Sequence, residues 1–595
     1  MILQLKLPQK KYVLAIIILH IFSVFALMYI DWFALNERLP LFMFIDFVLL
    51  LIIAGNRLFK GVPMYIPKII LAILTGILLS ISWCPSTFVY PIFFGLVPLL
   101  VVIHSILKFK PKNYIQLIFW YSYLSFLTWN IFTTWWVSNS TLAGGIFAVF
   151  VNSFLMTLPF LSFVFIYKNI GNKAYLILPF LFITFEYFHL NWDLSWPWLT
   201  LGNAFCENNE MIQWYEYTGV FGGSLWIWIS NLILFYTITF ISWQSRKIFF
   251  LIYISIVFVP IIFSYYLYIN YKETGKKVLI AAIQPNIDPW SEKFDASTEI
   301  QQLDNLITLS KNAIENEKVE ILLWPETALP FGVWINKNRF YENSAIQYIQ
   351  KELIYKYPQI QLLSGIAAYE DFSETASSPY FAIPYQSGNG KYAAYNSMIL
   401  IDTSKKIQHY IKSKLVVGTE SIPFYKYLKK YIANTMISIG GTSVSLGIQK
   451  ERIPMQTSKG KLASIVCYES IYGEFLNDFY KNNALALLIS TNDAWWGNTA
   501  GYKQHNAYAR LRAIEARKCV VRSANTGKSS FIDQCGNEIK STEYNTRTYL
   551  CGEIFLNDCK TFYVMHGDYI AKIAILISVI SCLLSCIQYL YFKFK

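Results

Sequence analysis

The chain has 595 residues, of which 55% are hydrophobic and only 15% charged, with a formal net charge of +13. Globular domains in water carry about 25% charged residues, so this composition excludes a wholly soluble protein and, being so apolar, an unfolded one. Much of the positive excess sits in short loops between apolar runs, and no aromatic-interleaved basic stripe is present, which argues against nucleic acid as the partner.

Apolar stretches long enough to span about 30 Å of hydrocarbon predict helices near 12–30, 41–56, 68–84, 88–107, 114–136, 142–167, 174–189, 217–242 and 248–269, with a tenth at 569–591. The first has no small-x-small cleavage site after it and is followed by further spans, so it reads as a span. One set of alternate loops holds Lys6, Lys10, Lys11, Arg57, Lys60, Lys68, Lys108, Lys110, Lys112, Lys168, Lys173, Arg246 and Lys247, while the other holds only Arg38. The positive-inside rule places the first set and both termini in the cytoplasm. Residues between the ninth and tenth spans then lie outside. Glu186 is the one intramembrane acid that stands out. The loop 189–218, with Trp192, Trp196, Trp198, Trp214, Asp193, Glu207, Glu210 and Glu216, reads first as an interfacial anchor and second as the wall of a lipid entrance.

From residue 277 the pattern changes to short β-rich runs alternating with polar helical stretches. Strands are expected at 277–284, 319–325, 360–368, 395–402, 461–467, 484–491, 518–524 and 529–534, and helices near 295–316, 340–357, 471–480 and 502–517. This alternation predicts a layered α/β domain. The expected organisation is two additional N-terminal spans (1–60), a helical membrane domain (61–270), an α/β domain (271–567) and a C-terminal span (568–595). The segments 331–341 and 424–447 are apolar for loops and read equally as core or as lids dipping toward the bilayer.

No dinucleotide or P-loop glycine pattern is present. The nine cysteines include no C-x-x-C pair, and the six histidines no H-x-x-x-H, so neither a metal nor a cofactor is expected. Cys551 and Cys559 could pair in an oxidising compartment; spacing alone leaves that open. No signal for oligomerisation is evident, which leaves a monomer.

Three segments carry chemistry. Leu322-Leu323-Trp324-Pro325-Glu326 ends a buried strand on an acid, at the edge where ligands bind in α/β sheets. Tyr410-Ile411-Lys412-Ser413-Lys414 is followed by Glu420. Ile465-Val466-Cys467-Tyr468-Glu469 ends a strand on a thiol. Singly, each reads more readily as a cap, a surface charge and a small core residue. In the order Glu, Lys, Cys, and with Ser490–Gly497 and Gln504–Gly527, they resemble the carbon–nitrogen hydrolase (nitrilase) superfamily. With the spans, the chain resembles the apolipoprotein N-acyltransferase family over about residues 68–590. Two places depart from the usual pattern: Leu415-Val416-Val417-Gly418-Thr419-Glu420 follows the lysine, and Lys293-Phe294 stands where Lys-Trp is common.

The resemblance implies a polytopic helical membrane domain joined to a nitrilase-like α-β-β-α sandwich on the periplasmic face of a bacterial inner membrane. It implies Glu326 as general base, Lys412 as oxyanion stabiliser and Cys467 as nucleophile, with burial raising the Glu326 pKa toward the working pH. Glu420 and Glu469 would orient Lys412 or the substrate amine, or else form a structural ion-pair network, and Tyr468, Trp495 and Trp496 would line an acyl pocket or else pack in the core. The implied reaction moves an acyl chain from a phospholipid, typically phosphatidylethanolamine, through a cysteine thioester to the N-terminal amine of an S-diacylglyceryl-cysteine apolipoprotein. A membrane-anchored amidase for small C–N substrates is the alternative.

Overall fold

The computed structural model describes residues 65–372, 378–385, 390–404, 406–425, 427 and 445–594. The two spans expected within 1–60, and most of segment 424–447, lie outside the described residues. Helices α1 (Ile66–Ile81), α2 (Val97–Phe109), α3 (Tyr114–Thr134), α4 (Leu142–Leu155), α5 (Leu158–Ile170), α6 (Leu178–His189), α7 (Tyr215–Thr239) and α8 (Arg246–Asn270) precede the sheets. Five described helical segments, including α7, α8 and Tyr569–Tyr591, are long and apolar enough to cross a membrane.

Helix α3 is buried on nearly every side although it carries hydroxyls. Ser125, Thr128, Thr133 and Thr134 each donate to the carbonyl four residues back, at 2.6–3.0 Å. Apolar surroundings demand such internal satisfaction. At Gly76 a Cβ would stand 2.4 Å from the Thr128 Cβ, so glycine is what allows α1 and α3 to touch.

The helix expected over 142–167 is two helices, α4 and α5. Pro159 explains the break: it has no N–H, and its ring crowds the carbonyl four residues earlier. The chain nevertheless keeps its direction across this break. Ser140, before α4, donates to the Trp495 carbonyl, whereas Asn169, at the end of α5, donates to the Ser585 carbonyl near the far end of the last helix. The two helices therefore form one continuous apolar segment, Leu142–Leu176.

Among the described residues the α/β portion holds fourteen strands: β1 (Lys276–Gln284), β2 (Ile321–Leu323), β3 (Leu329–Trp334), β4 (Gln361–Phe372), β5 (Ile383–Pro384), β6 (Lys391–Ile401), β7 (Gln408–Ile411), β8 (Met455–Thr457), β9 (Gly460–Val466), β10 (Leu487–Thr491), β11 (Val520–Ala524), β12 (Ser530–Ile532), β13 (Glu538–Ser541) and β14 (Thr548–Leu556). One sheet has the order β14-β1-β2-β4-β6-β5, with β3 on β4 and β7 on β6. The other runs β13-β12-β11-β10-β9-β8. Two buried hydroxyls link the sheets: Ser490 donates to the Trp324 carbonyl and Ser523 to the Ile283 carbonyl, both at 2.7 Å. Helix α9 (Glu299–Asn316) covers the first sheet, sharing a core with Leu322 and Trp324. Helices α10 (Gly473–Lys481) and α11 (Ala500–Ala516) cover the second. The result is an α-β-β-α sandwich, and α12 (Tyr569–Phe594) returns the chain to the bundle. Within 331–341 the lid reading gives way to core: 329–334 is strand β3, and Val333 and Phe340 are buried. Cys551 and Cys559 are free thiols.

Loop 189–218 docks the sandwich onto the bundle, which neither sequence reading anticipated. Glu207 pairs with Arg510 at 2.6 Å and Glu216 with Arg517 at 2.8 Å. Trp198 packs among Trp136, Trp496, His505 and Tyr508. Glu186 is structural: its Oε1 accepts the Leu201 N–H at 2.7 Å and so holds this loop's re-entry. Gly501, at the start of α11, lies flat on the Trp136 ring, where a Cβ would come within 2.6 Å. Overpacking of this kind costs about 1–3 kcal/mol. Gly501→Ala is expected to lower the unfolding midpoint of the detergent-solubilised protein, and an unchanged midpoint would show that the ring yields freely.

Candidate active site

Three chain turns converge at one end of the sandwich. Strand β9 ends at Val466, and Cys467 follows with φ of +51°, opening a single 3₁₀ turn through Ile471. A non-glycine residue in the left-handed region is uncommon and marks a turn that its surroundings hold in place. Here the Cys467 carbonyl accepts from the Ser470 hydroxyl at 2.8 Å and lies 3.2 Å from His505 Nε2. His505 is backed by Asp493 at 2.8 Å, and Asp493 by Arg522 at 2.9 Å, all buried.

Glu326 stands at the tip beyond β2, followed by Thr327, also left-handed at +44°. Its Oε1 accepts from Asn396 Nδ2 at 2.7 Å and Lys412 Nζ at 3.1 Å, and its Oε2 from the Asn492 N–H at 3.1 Å. Lys412 follows β7, tied to β6 through the Asn396 carbonyl at 2.8 Å. Its ammonium also donates to Glu420 Oε1 at 2.8 Å, an oxygen that Asn396 Nδ2 shares. Lys412 is thus fully buried between two carboxylates.

Charge states follow from this packing. Burial pushes the Lys412 ammonium down, but Glu326 and Glu420 outweigh it and hold its pKa well above the ordinary lysine value. Burial pushes Glu326 up, yet Lys412, Lys293 and the Asn396 amide together keep it below the usual carboxylate value. The expected rise of Glu326 is therefore overturned: burial does act, but two ammoniums act more strongly. Burial and then the Glu326 charge push the Cys467 thiol up, offset in part by Lys412. The resting site is a protonated thiol beside an ionised carboxylate.

Glu469 does not touch Lys412. Its Oε1 accepts from the Tyr410 hydroxyl and the Ser413 N–H, both at 2.7 Å, and its Oε2 from the Val466 N–H at 2.9 Å. One buried carboxylate thus joins the residue after Lys412 to the residue before Cys467. Tyr468 faces the bundle, donating to the Ser195 carbonyl at 3.2 Å. Trp496 belongs to the buried-side aromatic stack with Trp136 and Trp198, whereas Trp495 is half-buried against exposed Trp290 and Phe294. Of the three aromatics expected at an acyl pocket, Trp495 alone stands beside exposed rings. Lys414, the second lysine of its pair, donates to the Leu190 carbonyl at 3.1 Å and so also grips the bundle.

Residues not singled out from sequence include Asn396, Lys293 and the His505–Asp493–Arg522 chain. Asn396 lies mid-strand, where a single sequence offers no signal. The others sit inside segments already quoted, but nothing in their spacing reveals a role.

The carbon-nitrogen hydrolase family matches residues 279–563, and the apolipoprotein N-acyltransferase N-terminal domain family matches residues 75–233. An apolipoprotein N-acyltransferase of Chlorobaculum tepidum is 30% identical over 539 residues, covering 88% of this chain and 97% of its own. The chain belongs to the apolipoprotein N-acyltransferase family. A second relative of that name, from Geobacter metallireducens, is 26% identical across 84% of this chain and 92% of its own. The crystal structure of Saccharomyces cerevisiae Nit3, of the nitrilase superfamily, covers 48% of this chain and 93% of its own at 14% identity and a TM-score of 0.33.

Gly365 in β4 lies beneath the Glu326 tip, where a Cβ would come within 2.5 Å of the Pro325 carbonyl oxygen and 2.7 Å of the Glu326 Cα. Displacing a reacting group by about 1 Å can cost roughly 100-fold in rate. Gly365→Ala is expected to slow the enzyme's acyl transfer on that scale while the sandwich stays folded, and a wild-type rate of transfer would show that the tip tolerates the methyl group.

Proposed function

We propose that this protein transfers a fatty acyl chain from a phospholipid, through a thioester on Cys467, to the N-terminal amine of an S-diacylglyceryl-cysteine apolipoprotein. The observation that carries this reading is the buried Glu326–Lys412 pair acting on one strand-end thiol, in a sandwich docked on a membrane bundle. The apolipoprotein N-acyltransferases that match most of the chain support the acyl-transfer part of it.

In the first half-reaction Glu326 takes the Cys467 proton while the sulfur attacks the donor's ester carbonyl. The Lys412 ammonium and the Tyr468 N–H face the oxyanion; such a donor is worth about 3–4 kcal/mol to the transition state. The C–O bond breaks, and the lysophospholipid oxygen leaves with the proton from Glu326. In the second half-reaction the acceptor amine attacks the thioester, Glu326 takes a proton from the nitrogen, and the thiolate leaves and regains it. Glu420 keeps Lys412 charged throughout. Glu469 positions both loops.

The cationic loops Lys108–Lys112, Lys168–Lys173 and Arg246–Lys247 occupy the end of the bundle away from the sandwich, which supports a periplasmic catalytic domain. Donor lipid and acceptor would then both reach the site from the outer leaflet of the inner membrane. Phosphatidylethanolamine as donor and a monomeric enzyme belong to the same proposal.

Incubating purified protein with phospholipid carrying a labelled acyl chain is expected to add the acyl mass to the Cys467 peptide. Cys467→Ser should add none at that peptide as a thioester, and Glu326→Gln should slow acylation about 100-fold or more. A folded wild type that never acquires the mass, yet hydrolyses short amides, would instead establish the amidase. The depressed Glu326 pKa sets the acid limb. The carboxylate stays ionised as pH falls through its ordinary value of 4.5, so kcat/KM should hold through about pH 5 and fall only below it. Loss of activity with a midpoint near pH 6 would contradict this.

A further inference from the structure

One buried cation at the site has no part in this mechanism. The loop after β1 is closed by Asp288, whose carboxylate accepts the N–H groups of Trp290 and Ser291 at 2.7 and 2.9 Å. The Lys293 N–H donates to the Asp288 carbonyl at 2.9 Å, which completes the turn. Glu292 and Phe294 are left in water, and the Lys293 side chain points inward, only 2% exposed. Its Nζ donates to the Glu326 main-chain carbonyl at 2.8 Å, the one hydrogen bond of this side chain among the described residues. An ammonium has three donors. Burying it on a single neutral acceptor is expensive, and an apolar residue of similar size would hold the fold at least as well.

Charge counting supplies a reason. Glu326 and Glu420 contribute two negative charges, and Lys412 and Lys293 two positive ones. Without Lys293 the cluster carries a net negative charge before the thiol has lost its proton. We propose that Lys293 is a positioning residue that balances this cluster and so lowers the cost of removing the proton that the Cys467–Glu326 pair holds. The charged groups acting on Lys293 are Glu326 and Cys467; Asp288 and Glu292, on its own loop, are exposed to water. Burial pushes the ammonium down and those two groups pull it back, leaving it at about 8, so it is charged at pH 7.

This inference rests on Cys467 as the nucleophile, but its test needs no lipid. The rate of Cys467 alkylation by iodoacetamide is measured on the full-length protein across neutral and alkaline pH, by the mass of the Cys467 peptide. Lys293→Gln keeps an N–H for the Glu326 carbonyl and removes the charge. It is expected to slow alkylation about tenfold or more near pH 7, moving the profile up by about one unit. Lys293→Arg restores the charge and is expected to restore the rate. Folding is checked by circular dichroism, and should the Gln variant not fold, Lys293→Met carries the same expectation. An unshifted profile in a folded neutral variant, or an Arg variant as slow as the Gln variant, would overturn the proposal. Failure of acyl transfer alongside a shifted alkylation profile would overturn the acyltransferase reading and leave this one standing.

Discussion

The site depends on one buried ammonium held between two carboxylates. Lys412 reaches Glu326 at 3.1 Å and Glu420 at 2.8 Å with no water-exposed surface of its own. Removing one partner of such a pair strands a charge and costs several kcal/mol, whereas the intact set is close to neutral in stability. The arrangement is therefore poor scaffolding and good chemistry. It fixes a positive charge where the proposed reaction would make a carbonyl oxygen negative, and it keeps Glu326 ionised although buried. Asn396 makes the geometry rigid: its amide donates to both carboxylates while its carbonyl receives the Lys412 N–H.

A second layer holds Cys467 against its own backbone preference. Cys467 occupies a left-handed conformation that costs about 1–3 kcal/mol for a residue with a side chain. Glu469 ties Val466 to Ser413 on one side, and Ser470 and His505 meet the Cys467 carbonyl on the other. Asp493 is held at a pKa of about 2: burial would raise it, but Arg522 and His505 outweigh burial. Its charge is therefore retained over any pH at which the enzyme works, and the turn rests on a fixed ion network.

The parts legible in the sequence were those with a local signature. Strand-end motifs marked Glu326 and Cys467 and long apolar runs marked the described spans, whereas the break between α4 and α5 was missed because hydropathy runs on across Pro159. What was not legible depends on long-range pairing. Asn396 is a polar residue next to Ser397 in a strand that is buried from Tyr395 onward. The acids of loop 189–218 read as interfacial because their partners, Arg510 and Arg517, lie about 300 residues away. The Glu326 charge state failed for the same reason: burial can be anticipated from an apolar strand, but the two ammoniums that reverse its effect arrive from other loops.

Docking on the bundle also bears on why a hydrolase-like triad would transfer rather than hydrolyse. A thioester survives only where water is kept from it. Trp136 and Trp198 of the bundle pack against Trp496 and His505, directly behind the nucleophile turn. Tyr468 and Tyr472, one and five residues past Cys467, both end on Ser195 of the same membrane loop. The wall of the site is thus shared between the two domains, and neither could close it alone. The aromatic layer thus closes this face of the sandwich, and the rim left beside it is where Trp495 meets Trp290 and Phe294.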